Sequence, residues 1–131
     1  MERGIELVLL SKYVDSLRKE NMKMADIAQT IGCGERVVYR NMKRGVYINL
    51  STKTLYTPTK ISIWKRYTTE EEIEVFPFRE YMSNRGCRSV NDVAKNAGLK
   101  RQRLHTYYRR DDALIEPVSG QIFVPRVSKR N

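Results

Sequence analysis

A six-residue pattern typical of a helix-turn-helix occurs twice in this chain, in its first and second halves. The first copy reads Ile27-Ala28-Gln29-Thr30-Ile31-Gly32 and the second reads Val93-Ala94-Lys95-Asn96-Ala97-Gly98. In each copy an Ala precedes a Gly by four residues, which suits two short helices that cross closely with a sharp turn between them. Because two copies keep this spacing, chance is a poor explanation, and the chain is expected to repeat one structural unit.

The similarity of the two copies continues beyond the turn glycines. Val38 and Leu104 each lie six residues after the Gly, where they are expected to anchor the second helix. Met42 and Tyr108 follow one turn later, so each second helix carries an apolar stripe at i, i+4 spacing. Its other faces carry basic and polar residues.

A β-hairpin is predicted after each second helix, and the two hairpins are 67 residues apart, against 66 for the helical motif. One residue is therefore gained in the second copy, near Asp111-Asp112. Pro58 and Pro125 close the second strands, and since proline cannot donate to a ladder, each strand is expected to end there or lie at a sheet edge. The predicted strands are residues 46–50, 55–58, 113–116 and 122–125.

Each unit is also expected to open with a helix, at residues 5–20 in the first copy and 77–84 in the second. Pro77 suits a first helical turn. The segment Ser89–Asp92 resembles a helix cap before the second motif. The acidic segment 68–74 is predicted to be a solvated linker.

These elements predict an α+β fold of two small tandem helix-turn-helix modules, each with about three helices followed by a β-hairpin. The predicted domains are residues 1–67 and 68–131. Modules of about 65 residues are near the lower limit for an independent core. The hairpins or a partner chain are therefore expected to bury additional apolar surface.

The charge of the chain favours a polyanionic partner. The 25 Lys and Arg residues exceed the 15 Asp and Glu residues, which gives a formal net charge of +10. Residues 1–66 carry +7 and residues 67–131 carry +3, and four of the acids in the second half lie in the predicted linker. Both halves are basic enough to face phosphate groups.

Several other classes of protein are disfavoured. No apolar run reaches the length of a membrane span and the first residues lack a secretory pattern, so a cytoplasmic, nucleoid-associated protein of a bacterial host is expected. Cys33 follows the turn glycine and is interpreted as a core thiol. Because Cys87 is not at the equivalent position and His105 is the only histidine, a disulfide, a metal site and a cofactor are not predicted.

Enzymatic activity is not predicted either. His105 has no Ser, Cys or carboxylate residue at a spacing that would indicate a catalytic partner. The acidic pairs Glu70-Glu71 and Asp111-Asp112 are adjacent residues, not a separated acid and base facing a pocket.

The first turns of the second helix in a helix-turn-helix enter the major groove of DNA, with side chains directed at base edges. The spacing from the Ala and Gly selects Glu35, Arg36, Tyr39 and Arg40 in the first copy and Arg101, Gln102, His105 and Thr106 in the second. Arg, Gln, Glu and Thr are suitable types for direct base readout. Since the two sets differ, an asymmetric site is expected.

Basic residues around these positions are predicted to position the helices on phosphate. They are Lys43, Arg44, Lys100, Arg103 and Arg110. Arg109 is the last of the base-facing positions in the second copy, as Lys43 is one turn beyond those of the first. The alternative is that these charges only solvate the outer faces of two helical bundles. The basic segment 126–131 is interpreted either as an arm on the DNA backbone or minor groove or as a frayed terminus.

The order of these landmarks resembles the small Cro-type repressors of temperate phages, and the resemblance covers each half separately. The first copy has Ala28, Gly32, Val38 and Gly45 followed by the β segment. The second copy has Ala94, Gly98 and Leu104 but carries Asp111 in place of the terminal Gly.

The resemblance implies a sequence-specific double-stranded DNA-binding transcriptional regulator, a repressor that acts by operator occupancy. It also implies β-strands that mediate dimerisation and two recognition helices in successive major grooves. Because the family normally has one module per chain, we hypothesise a covalent pseudo-dimer paired through the hairpins, with a homodimer as the alternative. Two other functions stay open: an architectural, excisionase-like factor that bends DNA, and a helix-turn-helix module that binds another protein.

Overall fold

The computed structural model describes residues 4–84, 94–95 and 98–126. The described strands are β1 (Ile5–Leu9), β2 (Tyr47–Asn49), β3 (Thr54–Ser62), β4 (Glu72–Pro77), β5 (Leu114–Glu116) and β6 (Gln121–Pro125). The described helices are α1 (Leu10–Lys19), α2 (Met24–Ile31), α3 (Glu35–Lys43), α4 (Phe78–Asn84) and α5 (Arg101–Arg109). Ala94 and Lys95 are also helical.

The six described strands form one closed antiparallel barrel in the order β1-β2-β3-β6-β5-β4. The predicted fold of two tandem helix-turn-helix modules with separate hairpins is therefore wrong. Strand β2 pairs with β3 and β5 pairs with β6, but each pair is part of the shared barrel. An isolated hairpin is marginal in water and exposes two unpaired edges, whereas closure of the barrel removes every edge.

Strand β1 occupies the beginning of the first predicted helix, which starts at Leu10 and not at residue 5. Leu7 is fully buried between its more exposed neighbours, as in a strand with one face toward a core. The backbone of β1 pairs with β2 on one side and β4 on the other. These two ladders explain why residues 5–9 form a strand and do not extend α1 toward the N-terminus.

Strand β4 occupies the second half of the predicted linker. Ile73 and Val75 are buried and alternate with the exposed Glu72 and Glu74, so the acidic side chains lie on the solvent side of the barrel. Pro77 ends this strand and helix α4 begins one residue later, which corrects the predicted helix start. The interpretation of 68–74 as wholly a solvated connector is thus wrong for its last residues.

Strands β1 and β4 join the two copies, and their register is symmetric between the copies. Ile5 pairs with Val75 and Leu7 pairs with Ile73, so exchanging the copies turns one pair into the other. This is the pattern of an isologous interface, here formed within one chain. The barrel therefore has approximate two-fold symmetry, with three strands from each copy.

The second contact between the copies is the pairing of β3 with β6. Pro58 lies opposite Phe123 inside this ladder, and β3 continues to Ser62 beyond a register shift. The expectation that the strand ends at Pro58 or lies at an edge is wrong, because the irregularity after Pro58 accommodates the missing donor. Pro125 does end β6.

The turn between β2 and β3 is held by its first residue. The side-chain Oδ1 of Asn49 accepts hydrogen bonds from the backbone N–H groups of Ser51 (2.9 Å) and Thr52 (3.4 Å). The N–H of Lys53, which has a positive φ of 61°, donates to the carbonyl oxygen of Asn49 (2.6 Å).

The turn between β5 and β6 repeats this arrangement with different residues. The Glu116 carboxylate accepts from the N–H groups of Val118 (2.8 Å) and Ser119 (3.0 Å). The N–H of Gly120, at φ 78°, donates to the Glu116 carbonyl oxygen (2.7 Å). The repeat seen in the sequence thus extends to the individual hydrogen bonds of the turns.

Three apolar cores surround and fill the barrel. The first helical core packs α1–α3 against strands of the first copy and includes Leu10, Val14, Ile27, Ala28, Ile31, Val38, Val46, Ile48 and Leu55. The second helical core includes Ile61, Ile63, Phe78, Met82, Ala94, Leu104, Ala113, Ile115 and Ile122. The barrel interior contains Leu7, Tyr47, Ile73, Val75, Leu114 and Phe123.

The predicted helix anchors Val38 and Leu104 are both fully buried, so this expectation is confirmed. The barrel interior contains residues of both copies, and Ile61 and Ile63 of β3 belong to the second helical core. In the part of the chain that the structure describes, no helix has the length and apolar character needed to cross a membrane.

Candidate nucleic-acid interface

The turn between α2 and α3 is closed on the Ala and Gly landmarks. The carbonyl oxygen of Ala28 accepts from the N–H groups of Gly32 (2.8 Å) and Cys33 (3.0 Å). Gly32 has a φ of 92°, a left-handed conformation that glycine adopts without strain. Helix α3 begins at Glu35, directly after this turn.

The described part of the second motif closes in the same way. The N–H of Leu99 donates to the carbonyl oxygen of Ala94 (2.8 Å), which is the counterpart of the bond from Cys33 to Ala28. Gly98 has a φ of 71°. The predicted helix cap Ser89–Asp92 and residues 93, 96 and 97 of the motif lie outside the described residues.

Helix α3 separates a core-facing side from an exposed basic side. Val38 is fully buried, whereas the side chains selected from the sequence are all exposed. Those exposed residues are Glu35, Arg36, Tyr39, Arg40, Lys43 and Arg44. Among the described residues, none of these cations forms a salt bridge. With four cations and one acid, the exposed residues of α3 and its C-cap carry a net positive charge.

Helix α5 is divided in the same way, and its own Leu104 is fully buried on the core-facing side. The exposed predicted residues are Lys100, Gln102, Arg103, Thr106 and Arg109. His105 is only half-exposed, and its ring lies edge-on to that of Tyr108 at a centroid distance of 6.5 Å. The side chain of Arg101 lies outside the described residues, so its predicted role stays a prediction.

The two second helices end differently, and the extra residue of the second copy lies at this point. Gly45 follows α3, whereas α5 is followed by an extended Arg110. The Arg110 guanidinium holds the Asp112 carboxylate through Nε–Oδ1 (2.7 Å) and Nη2–Oδ2 (3.0 Å) contacts. This guanidinium keeps the pKa of Asp112 below its usual range. Arg110, predicted to bind phosphate, is thus engaged in an ion pair with the chain.

Arg79 of α4 contacts the candidate interface, which the sequence did not reveal. Its guanidinium donates to the carbonyl oxygens of Tyr108 (3.2 Å) and Arg109 at the end of α5. A cation at a helix C-terminus satisfies free carbonyl groups and opposes the negative end of the helix dipole. Arg79 therefore helps to fix the end of the candidate recognition helix.

The acidic segment before β4 is tied to the first copy. Lys12 Nζ lies 2.8 Å from Glu72 Oε2 and 3.4 Å from Glu71 Oε1. Its hydrogen bond lowers the pKa of Glu72, and the pKa of Lys12 is raised in turn. The N–H of Leu9 also donates to the carbonyl oxygen of Glu71 (2.7 Å). These contacts hold the acidic segment against α1 and the end of β1.

Cys33 is half-buried and packs against the first helical core, as its position after the turn glycine predicted. Burial raises the pKa of its thiol, while the charge of Arg126 acts in the opposite direction. Cys87 lies outside the described residues. Within the described ranges, no group of His, Cys, Asp and Glu side chains could hold a metal ion.

Asn41 is a buried polar residue on the core-facing side of α3. It is fully buried, and neither its Oδ1 nor its Nδ2 has a hydrogen-bond partner among the described residues. A buried amide without a partner costs about 1–3 kcal/mol. We expect Asn41→Leu, which replaces the amide with an apolar group of similar size, to raise the free energy of unfolding by about 1–2 kcal/mol.

Urea denaturation followed by circular dichroism would measure this effect. Asn41→Ala is the control, because it removes the amide but leaves a cavity, and it should be less stable than Asn41→Leu. A lower stability of Asn41→Leu than of the unaltered chain would show that the amide contributes favourably to the core.

A cleft of about 620 Å³ lies between the segment 66–76 and the turn at 116–119. Its lining includes Glu70, Glu72, Glu74 and Glu116. The Glu116 carboxylate already accepts three hydrogen bonds within its turn, including one from Ser119 Oγ (2.7 Å). These four carboxylates oppose the binding of a polyanion in the cleft. The exposed faces of α3 and α5, which carry most of the predicted residues, are therefore the candidate interface.

Comparison of the chain with protein-family models, curated proteins and solved structures gives no match. The resemblance to Cro-type repressors therefore stays a prediction from the residues of the two motifs.

Proposed function

We propose that this chain is a sequence-specific double-stranded DNA-binding transcriptional regulator that represses by occupying an operator. The observation that carries the proposal is the repeated turn, closed on Ala28 in one copy and on Ala94 in the other. Each turn leads into a helix with a buried apolar anchor and an exposed, mostly basic outer face. This is the arrangement that a helix-turn-helix needs to place its second helix in a major groove.

Lysines and arginines of both helices supply affinity through phosphate contacts and release of counterions. Arg36 and Arg40 of α3 and Gln102 and Thr106 of α5 select bases. Because the two helices carry different side chains, one chain reads two different half-sites. The covalent connection raises the effective concentration of the second helix after the first has bound. The protein acts in the bacterial cytoplasm, on the nucleoid, and binds as a monomer with internal pseudo-symmetry.

The test is a selection of binding sites from random duplex DNA with the purified chain. It is repeated with Arg36→Ala/Arg40→Ala and with Gln102→Ala/Thr106→Ala. We expect the unaltered chain to enrich a bipartite sequence and each double variant to relax base preference in one half only. The control is Arg18→Ala/Lys19→Ala at the end of α1, which removes as much charge as the first variant and should leave both half-sites intact.

Two results would contradict this function. Salt-sensitive binding without an enriched sequence would favour an architectural role, which a DNA-bending assay would then measure. No binding to duplex DNA would favour a protein-interaction module. Sedimentation of the complex would distinguish one chain per bipartite site from a homodimer.

A further inference from the structure

A cation from the second copy lies at the turn of the first. Arg126 follows strand β6, and its N–H donates to the carbonyl oxygen of Leu55 (2.7 Å). It lines a cavity of about 230 Å³ together with Gly32, Cys33 and Val37, which form the turn before α3 and the start of that helix. The charge of Arg126 also opposes the rise in the pKa of the Cys33 thiol, as expected for a cation that lines this cavity.

A cation from the first copy lies at the turn of the second. Lys65 follows strand β3 and is exposed. A Cβ atom placed on Gly98, the glycine of the second turn, would lie 3.5 Å from Lys65 Nζ and 3.7 Å from Cε. The amino group of Lys65 thus lies directly beside the turn that precedes α5.

The barrel topology explains this exchange. Strands β3 and β6 pair antiparallel across the two copies, so each strand runs from its own helices toward the helices of the other copy. The residues that follow the two strands therefore reach the opposite turns. Lys65 and Arg126 occupy similar places in the pseudo-symmetric barrel, although they are not aligned in the repeated sequence.

The helix ends at these turns lack side-chain caps. The N-cap residues Gly34 of α3 and Lys100 of α5 form no side-chain capping hydrogen bond. The first N–H groups of each helix and the positive end of its dipole favour an anion at this place. In the described part of the chain, neither Lys65 nor Arg126 is neutralised by a salt bridge.

We propose that each recognition surface is completed by a cation from the other copy: Arg126 binds a DNA phosphate beside the turn before α3, and Lys65 binds one beside the turn before α5. This inference rests on the proposed DNA-binding function. It makes each half-site depend on both copies, so neither copy alone has its complete phosphate-binding surface.

The test uses the full chain with Lys65→Gln and Arg126→Gln, and with Lys19→Gln and Arg18→Gln as matched controls at the end of α1. The probe is the duplex enriched by the unaltered chain. Affinity is measured over a range of salt concentrations, and ethylation interference locates the phosphates that are contacted. We expect each of the two test variants to reduce the slope of log K against log salt by about 0.9, the value for one phosphate contact.

The location of the lost contact is the decisive observation. For Lys65→Gln it should lie in the half-site that responds to Gln102→Ala/Thr106→Ala, and for Arg126→Gln in the half-site that responds to Arg36→Ala/Arg40→Ala. A loss in the opposite half-sites, or slopes equal to those of the controls, would overturn the inference while the DNA-binding function stands. If the unaltered chain binds no duplex, both proposals fail together.

Two further measurements keep the result interpretable. Lys65 has a positive φ of 61°, a conformation that glycine adopts without strain. Lys65→Gly therefore removes the charge without straining the backbone, and it should reduce the salt slope as much as Lys65→Gln does. If no sequence is enriched, the slope of log K against log salt is measured for each variant on a mixed-sequence duplex. Slopes of the Lys65 and Arg126 variants equal to that of the unaltered chain would overturn the inference. Thermal unfolding of the Arg126 variant should match that of the unaltered chain.

Discussion

Phe123→Ala is expected to lower the free energy of unfolding by about 3–5 kcal/mol, because it empties the centre of a barrel that both copies share. Phe123 is fully buried, and its ring lies edge-on to Tyr47 with a centroid distance of 5.4 Å and an interplanar angle of 85°. Tyr47 belongs to the first copy and Phe123 to the second. The loss should therefore destabilise both halves at once.

Urea denaturation followed by circular dichroism and by the fluorescence of Trp64, the only tryptophan, would measure this effect. The two signals should change in a single transition that moves as a unit in the variant. The control is Val118→Ala at the tip of the same hairpin, where 79% of the residue is exposed and the change should stay within about 0.5 kcal/mol. Two separate transitions, only one of them shifted, would show that the halves unfold independently.

Gly120→Ala should lower the free energy of unfolding by about 2–4 kcal/mol, from the left-handed backbone and a steric clash together. Gly120 has a φ of 78°, and a Cβ atom there would lie 2.5 Å from Cδ1 of Trp64 and 2.7 Å from its backbone nitrogen. Trp64 cannot move freely, because its Nε1–H donates to the carbonyl oxygen of Pro117 (3.0 Å).

The first copy provides an internal comparison for this prediction. Lys53 occupies the equivalent turn position at φ 61° and already tolerates a side chain there. Lys53→Ala should change stability much less than Gly120→Ala when both are measured by urea denaturation. The fluorescence of Trp64 should shift only in Gly120→Ala. A loss at Gly120→Ala as small as that at Lys53→Ala would contradict the predicted clash with Trp64.

The helices of the first copy could be predicted because their signals are local. The Ala and Gly landmarks specify the turn at Gly32, and Val38 is buried at the predicted spacing. The beginning of α1 could not be predicted, because the apolar residues of Ile5–Leu9 fit a helix as well as a short strand. What distinguishes the two is the partner strand β4, which lies far away in the sequence.

The candidate site shows the same division. The predicted residues of α3 are exposed because they lie opposite a local apolar stripe, which the sequence reveals. Lys65 and Arg126 were not predicted as neighbours of the two turns, because their positions depend on the pairing of β3 with β6. The ion pair of Arg110 with Asp112 also depends on how the chain leaves α5.

The sequence by itself determined that one unit occurs twice, with its turns, apolar stripes and excess of positive charge. Periodicity and turn chemistry act over a few residues, so a single copy of each pattern is enough to specify them. Only the tertiary structure decided that the strands of both copies close one barrel, and that a basic residue of each copy lies beside the turn of the other. Strand pairing depends on free edges and buried area from distant parts of the chain, which no local pattern contains.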